Sequence, residues 1–219
     1  MIKAINVSKS YDSFQVLKGI NLEISQGEVI SIVGASGAGK STLLHILGTL
    51  DRADSGKILI DNIEVTSLSS KKISQFRNSK IGFVFQSHHL LPEFSALENV
   101  MMPSLIHGES NKTATGRSRD LLEKLGLGHR ISHRPSEMSG GEQQRVAVAR
   151  ALVNNPTVVF ADEPSGNLDS ESARSLHELF FELRKSLNQT FVIVTHNETL
   201  AAMADRILFM KDGAIVSGN

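Results

Sequence analysis

Short apolar runs of about five residues recur along the chain, and stretches with helical spacing or turn residues separate them. Val29–Val33, Ile81–Phe85, Thr157–Ala161 and Phe191–Val194 are each too short for a core helix. They read as strands buried on both faces. Ile2–Val7 and Phe14–Ile24 instead alternate apolar and polar positions, with turn residues at Tyr11-Asp12-Ser13 and Gln26-Gly27, which predicts half-buried strands. Gly56–Ile60 reads as a further strand, and Ile207–Met210 with Ala214–Ser217 as a closing hairpin around Lys211-Asp212-Gly213.

Helical spacing predicts elements over Ser69–Asn78, from about Ser95, over Thr113–Leu125, Gly140–Val153 and Ser170–Leu187. Ser95 with Glu98 and Ser139 with Glu142 stand at capping-box spacing, and Gly126 closes the third of these helices. Strands alternating with helices predict an α/β fold with a largely parallel sheet covered on both faces. The chain reads as one domain over residues 1–219, with a helical stretch from about 87 to 155 inserted in the α/β core.

Composition narrows the partners. Lys+Arg 23 balances Asp+Glu 23, so no basic field argues for nucleic acid. No apolar run approaches the roughly 20 residues of a membrane helix, and Met1-Ile2-Lys3-Ala4 reads directly into a strand without an export signal. A membrane role is therefore expected to come through a partner. With no cysteine, disulfides, thiolate zinc sites and cysteine catalysis are excluded, in keeping with a reducing compartment.

The chemistry centres on Gly34-Ala35-Ser36-Gly37-Ala38-Gly39-Lys40-Ser41-Thr42, a G-x-x-x-x-G-K-[ST] turn between an apolar strand and a helix. Glycines let main-chain N–H groups curl around phosphate oxygens, and the helix start adds its own donors and dipole. Lys40 is expected on the β- and γ-phosphates and the Ser41 hydroxyl on Mg²⁺. An apolar strand ending in Asp162 supplies the carboxylate such a site needs for Mg²⁺, and Glu163 is placed to accept a proton from attacking water. Gln86 and His196 also fall at carboxyl ends of strands, where ligands bind in such folds. Tyr11, the one tyrosine, is either an amphipathic strand-end residue or a stacking face for a base. Ser139-Gly140-Gly141-Glu142 caps a helix with two poor helix formers, which suits a second phosphate contact, supplied to another protomer.

These stretches, with Gln143, Val158–Glu163, Ser165–Asp169 and His196, resemble in order and spacing the ATP-binding-cassette ATPases, over nearly the whole chain. The resemblance implies a P-loop NTPase fold with a RecA-like core, an N-terminal antiparallel β subdomain and an inserted α-helical subdomain. It implies a homodimer enclosing two ATP molecules, with Ser139, Gly140, Gly141 and Glu142 of one copy closing on nucleotide held by Lys40 of the other. It also implies adenine stacked on Tyr11, Mg²⁺ near Ser41, Gln86 and Asp162, catalysis by Glu163 with His196 and Gln86, and Asp169 at the subunit contact.

Within that family, His88–Phe94, Ala96–Val100 and His133–Glu137 look like the lipoprotein-releasing group, whose subunits drive a separate inner-membrane permease from its cytoplasmic face. Ser87 departs from the Phe associated with that group, and Met138, Glu142 and Ser165 stand where the wider family usually has Leu, Gln and Thr. Macrolide exporters and a cell-division ATPase belong to the same wider group. A cassette protein acting on DNA or ribosomes is the rival from another class, and one phosphate loop with zero net charge argues against it. Leu90, Leu91, Phe94, Val100, Met101 and Met102 are either the insert's own core or a contact surface for the permease. His88 and His89 lack a third ligand nearby and read as surface or contact residues rather than a metal site.

Overall fold

The computed structural model describes residues 1–218. Its first layer is a four-stranded antiparallel sheet built from β1 (Ile2–Tyr11), β2 (Phe14–Ile24), β4 (Ser55–Ile60) and β5 (Ile63–Glu64), in the order β2-β1-β4-β5. The second is a six-stranded sheet. It contains β3 (Val29–Val33), β6 (Ile81–Phe85), β7 (Val158–Asp162), β8 (Thr190–Val194), β9 (Arg206–Lys211) and β10 (Ala214–Gly218), in the order β10-β9-β3-β8-β7-β6. All of its pairings are parallel except β9 with β10.

The inner strands sort their side chains by the two-residue period of the pleat. Ile30, Ile32, Val158, Phe160, Val192 and Val194 join one buried cluster with β1, β2, β4 and the helix α1 (Lys40–Leu47). Val29, Val159, Ala161, Phe191 and Ile193 join a second cluster on the other face. That second face is covered by α5 (Gly140–Leu152), α6 (Ser170–Leu187) and α7 (Glu198–Met203). A strand buried on both faces has no polar side to display, which explains the continuous apolar runs.

Between β4 and β7 lie α2 (Ser70–Lys80), α3 (Ala96–His107), α4 (Asn111–Lys124) and α5. The Ser95–Glu98 box caps α3 and the Ser139–Glu142 box caps α5, with both reciprocal bonds formed in each. Asn99 lies buried under the entry to α3. Its amide bonds the carbonyls of Leu91, Phe94 and Ser95, and its side-chain oxygen accepts from the Leu91 N–H. The apolar residues of this segment divide between the two readings. Val100 and Met101 are buried and Leu90 packs against the core, whereas Leu91 and Phe94 are 40% and 37% exposed. The helix α7, entered through an Asn197 cap, was not anticipated, because six residues after a strand carry too little period to register.

Gly82 marks a close approach of β6 to α5, since a Cβ there would sit 2.4 Å from the Ala151 carbonyl oxygen. Gly82→Ala is expected to force these elements apart and lower stability by about 1–3 kcal/mol, measured as a drop in the urea midpoint at unchanged slope.

Candidate active site

Parallel register brings the chemistry together. Ile32 pairs with Val194, Val194 with Asp162 and Asp162 with Phe85. Each strand then delivers its next residues to the same edge: Gly34 after β3, Glu163 after β7, His196 after β8 and Gln86 after β6. Along this edge lies a cleft of about 670 Å³, within the roughly 300–1,000 Å³ common to ligand sites. Tyr11, Phe14 and Val16 line it together with the glycine loop, Lys40, Ser41, Thr42, Glu163 and His196.

The loop from Gly34 to Gly39 depends on absent side chains. At Gly34 a Cβ would lie 2.2 Å from the Met210 carbonyl, and Gly39 takes φ +96° at the start of α1. That start has no side-chain cap, whereas α3, α4, α5, α6 and α7 are all capped by side chains. Its unpaired N–H donors and positive dipole end therefore face the cleft. The Lys40 ammonium folds back over the loop and donates to the carbonyls of Gly34 (2.8 Å) and Ala35 (2.9 Å). A cation and a ring of amide donors around one turn is an anion cradle.

Ser41 Oγ donates to Asp162 Oδ1 at 3.1 Å, joining α1 to the end of β7. Two hard oxygen donors held side by side fit Mg²⁺, which takes few protein ligands and fills its shell with phosphate and water. Among the described residues no group of three or more His, Cys, Asp or Glu gathers as a metal site. Gln86 stands one strand away. Its Nε2 donates to Asn167 Oδ1 at 2.8 Å, and the Asn167 amide returns a bond to the Gln86 carbonyl. Sequence reasoning did not find this amide pair, since nothing in the spacing of residues 86 and 167 relates them.

Glu163 holds φ +48°, a left-handed conformation that costs a non-glycine residue of order 1–3 kcal/mol. Its main chain is fixed by bonds with the Val194 carbonyl and the Gly166 N–H. Its carboxylate accepts from the His196 N–H at 3.1 Å, and the His196 imidazole Nδ1 lies 2.8 Å from the same oxygen. The strained backbone thus aims a carboxylate, already oriented by a histidine, at the space beside Lys40.

Ser139, Gly140, Gly141 and Glu142 lie outside this cleft, at the start of α5, with Ser139 and Gly140 exposed. The Glu142 carboxylate accepts from the Ser139 N–H and from Arg130 Nε. The cap bond to Ser139 is the leading influence holding its pKa below the usual carboxylate range. Gly141 also has a local reason, because a Cβ there would meet Ser172 Oγ at 2.9 Å. Asp169 caps α6 beside it, accepting from the N–H groups of Ser172 and Glu171, which lower its pKa. His88 donates from Nδ1 to Gln144 Oε1 at 2.6 Å, and His89 packs edge-on against Phe85.

Residues 17–166 match the sequence model described as ABC transporter. The chain belongs to the ABC transporter family. It is 59% identical over 216 residues to the lipoprotein-releasing system ATP-binding protein LolD of Cytophaga hutchinsonii, covering 99% of both chains. It is 57% identical over 217 residues to the protein of that name from Porphyromonas gingivalis, again covering 99% of both. Among solved structures, the ATP-binding cassette MJ0796, in a dimeric post-hydrolysis state bound to ADP and Pi, superposes with a TM-score of 0.91. That pair is 39% identical and covers 100% of this chain and 98% of the other. The two chains therefore share one fold along their whole length.

His177, buried against Ser165 Oγ at 3.0 Å, has its pKa lowered by burial. The unfolded chain therefore takes up a proton that the folded chain resists, so stability is unaffected well above the ordinary value of about 6.5 and falls as pH drops through it. Replacing His177 by Gln is expected to narrow the difference between urea midpoints at pH 7.5 and pH 5.5.

Proposed function

We propose that this chain is the ATP-hydrolysing subunit of a lipoprotein-releasing transporter, peripheral to the cytoplasmic face of a bacterial inner membrane. Two copies close around two ATP molecules and drive a separate permease that passes lipoproteins toward the outer membrane. The convergence of Lys40, Ser41, Glu163 and His196 on one cleft, with Asp162 bonded to Ser41, supports the engine. The cargo rests on full-length likeness to relatives named for lipoprotein release. No helix among the described residues is long and apolar enough to cross a membrane.

In this reading the loop from Gly34 to Thr42 wraps the phosphates, and Lys40 leaves its two carbonyls for the β- and γ-oxygens. Ser41, Asp162 and Gln86 would hold Mg²⁺, which when bound would supply positive charge beside the phosphates. Glu163 takes a proton from the attacking water, while His196 fixes the carboxylate and contacts the γ-phosphate. Tyr11 carries the adenine. The exposed cap formed by Ser139, Gly140, Gly141 and Glu142 closes on the nucleotide of the facing copy, with Asp169 at the contact. The helical segment from about 87 to 155 faces the permease.

Glu163→Gln preserves shape and removes the base. Turnover is expected to fall by about 10²–10⁴-fold, while ATP still binds and the dimer accumulates on size-exclusion chromatography. Near-normal hydrolysis would remove Glu163 from its role. Purification of tagged protein from its native membrane in mild detergent is expected to bring down a permease with trapped lipoproteins. A division-type permease, or one joined to an export duct, would replace the cargo, and ribosomes or DNA would overturn transport.

A further inference from the structure

Tyr11 is held in a network that runs from the end of the phosphate loop to the segment after α1. Its hydroxyl donates to Asp51 Oδ2 at 2.5 Å, and the Thr42 side chain lies beside it. The other Asp51 oxygen accepts from Lys9 Nζ at 3.1 Å. Lys9 also donates to the Arg52 carbonyl at 2.7 Å and pairs with Asp54 at 3.7 Å. Its side chain is only 11% exposed, an unusual degree of burial for lysine. From there the ammonium lies 5.0 Å from the centroid of the Tyr11 ring, at cation–π distance. Tyr11 nonetheless remains 48% exposed and lines the cleft with the glycine loop.

We propose that Asp51 and Lys9 clamp Tyr11 as a preset platform for a purine base, making them positioning residues for base recognition. Asp51 pins the ring at its hydroxyl and Lys9 covers part of its surface, leaving the remainder facing the cleft. A side chain held in this way has already lost the freedom that binding would otherwise take from it. The clamp is anchored on α1 itself. The N–H groups of Leu50 and Asp51 both donate to the His45 carbonyl near the end of the helix whose first residue is Lys40. One short helix therefore fixes the phosphate end of the site at its start and the base end just past its finish. Burial by itself would raise the Asp51 pKa, but hydrogen bonds from Tyr11, Arg52 N–H and Lys9 more than offset it and keep the carboxylate ionised. Acceptance by Asp51 raises the Tyr11 pKa and keeps the phenol protonated as donor.

The proposal rests on the reading that Tyr11 carries the base. It is tested by calorimetric titration of the full chain with ATP and with inorganic tripolyphosphate, comparing wild type, Tyr11→Ala, Tyr11→Phe, Asp51→Ala and the Tyr11→Phe/Asp51→Ala double variant. Tyr11→Phe keeps the ring and loses only the anchor, so it remains informative if Asp51→Ala folds poorly. Each single anchor variant is expected to weaken ATP by roughly 2- to 10-fold and leave tripolyphosphate unchanged. The double variant should be no weaker than the worse single, as for two halves of one bond. If Tyr11→Ala loses ATP affinity while both anchor variants match wild type, the platform stands and the clamp falls. If Tyr11→Ala binds ATP normally, platform and clamp fall together. Equal losses for ATP and tripolyphosphate in the anchor variants would mark a general structural role and overturn the proposal.

Discussion

Everything in the site depends on the parallel register of four neighbouring strands. With β3, β8, β7 and β6 locked side by side, the residue after each strand has one place to go, and the four places adjoin. A slip of one residue would send alternate side chains to the opposite face. It would bury Ser31 or Asp162 on the wrong side and part Ser41 from Asp162. Continuous burial on both faces resists that slip, since Phe160 and Phe191 sit in different clusters and neither can exchange sides.

Two helices carry the consequences outward. The uncapped start of α1 presents donors to an anion, and its far end anchors the segment that holds Tyr11. At the other side of the sheet, α5 begins with the exposed Ser139–Glu142 cap and then grips the segment that follows β6. Gln144 donates to the Phe85 carbonyl and accepts from His88, while the half-buried Arg150 donates to the carbonyls of His88 and His89. Burial lowers the Arg150 pKa, though a guanidinium remains charged at any physiological pH. The cap and the chain leading away from Gln86 thus ride on one rigid element.

One of the left-handed positions lies in the site itself. Glu163 occupies a left-handed conformation that nothing about a glutamate favours, and the carbonyl of Val194 and the N–H of Gly166 hold it there. Its reward is direction, because the carboxylate meets both the ring and the main-chain N–H of His196. The same economy appears at Gly34, where the Met210 carbonyl occupies the space of a side chain.

Strand and helix identity were legible in the sequence because they follow from local periodicity, and the glycine loop was legible because its chemistry requires contiguous residues. The capping boxes at Ser95 and Ser139 formed as their spacing implied. The short α7 left no periodic trace, and the apolar residues from Leu90 to Met102 could be divided into core and surface only once α3 had a neighbour. The Gln86–Asn167 amide pair and the Lys9–Asp51–Tyr11 clamp link positions far apart in the chain, so no local pattern records them. Sequence by itself determined which residues could bind phosphate, hold a cation or accept a proton, since those capacities belong to residue types and short spacings. Tertiary structure decided which of them meet, through strand order and register, because a distance between side chains is set by the packing of the elements that carry them.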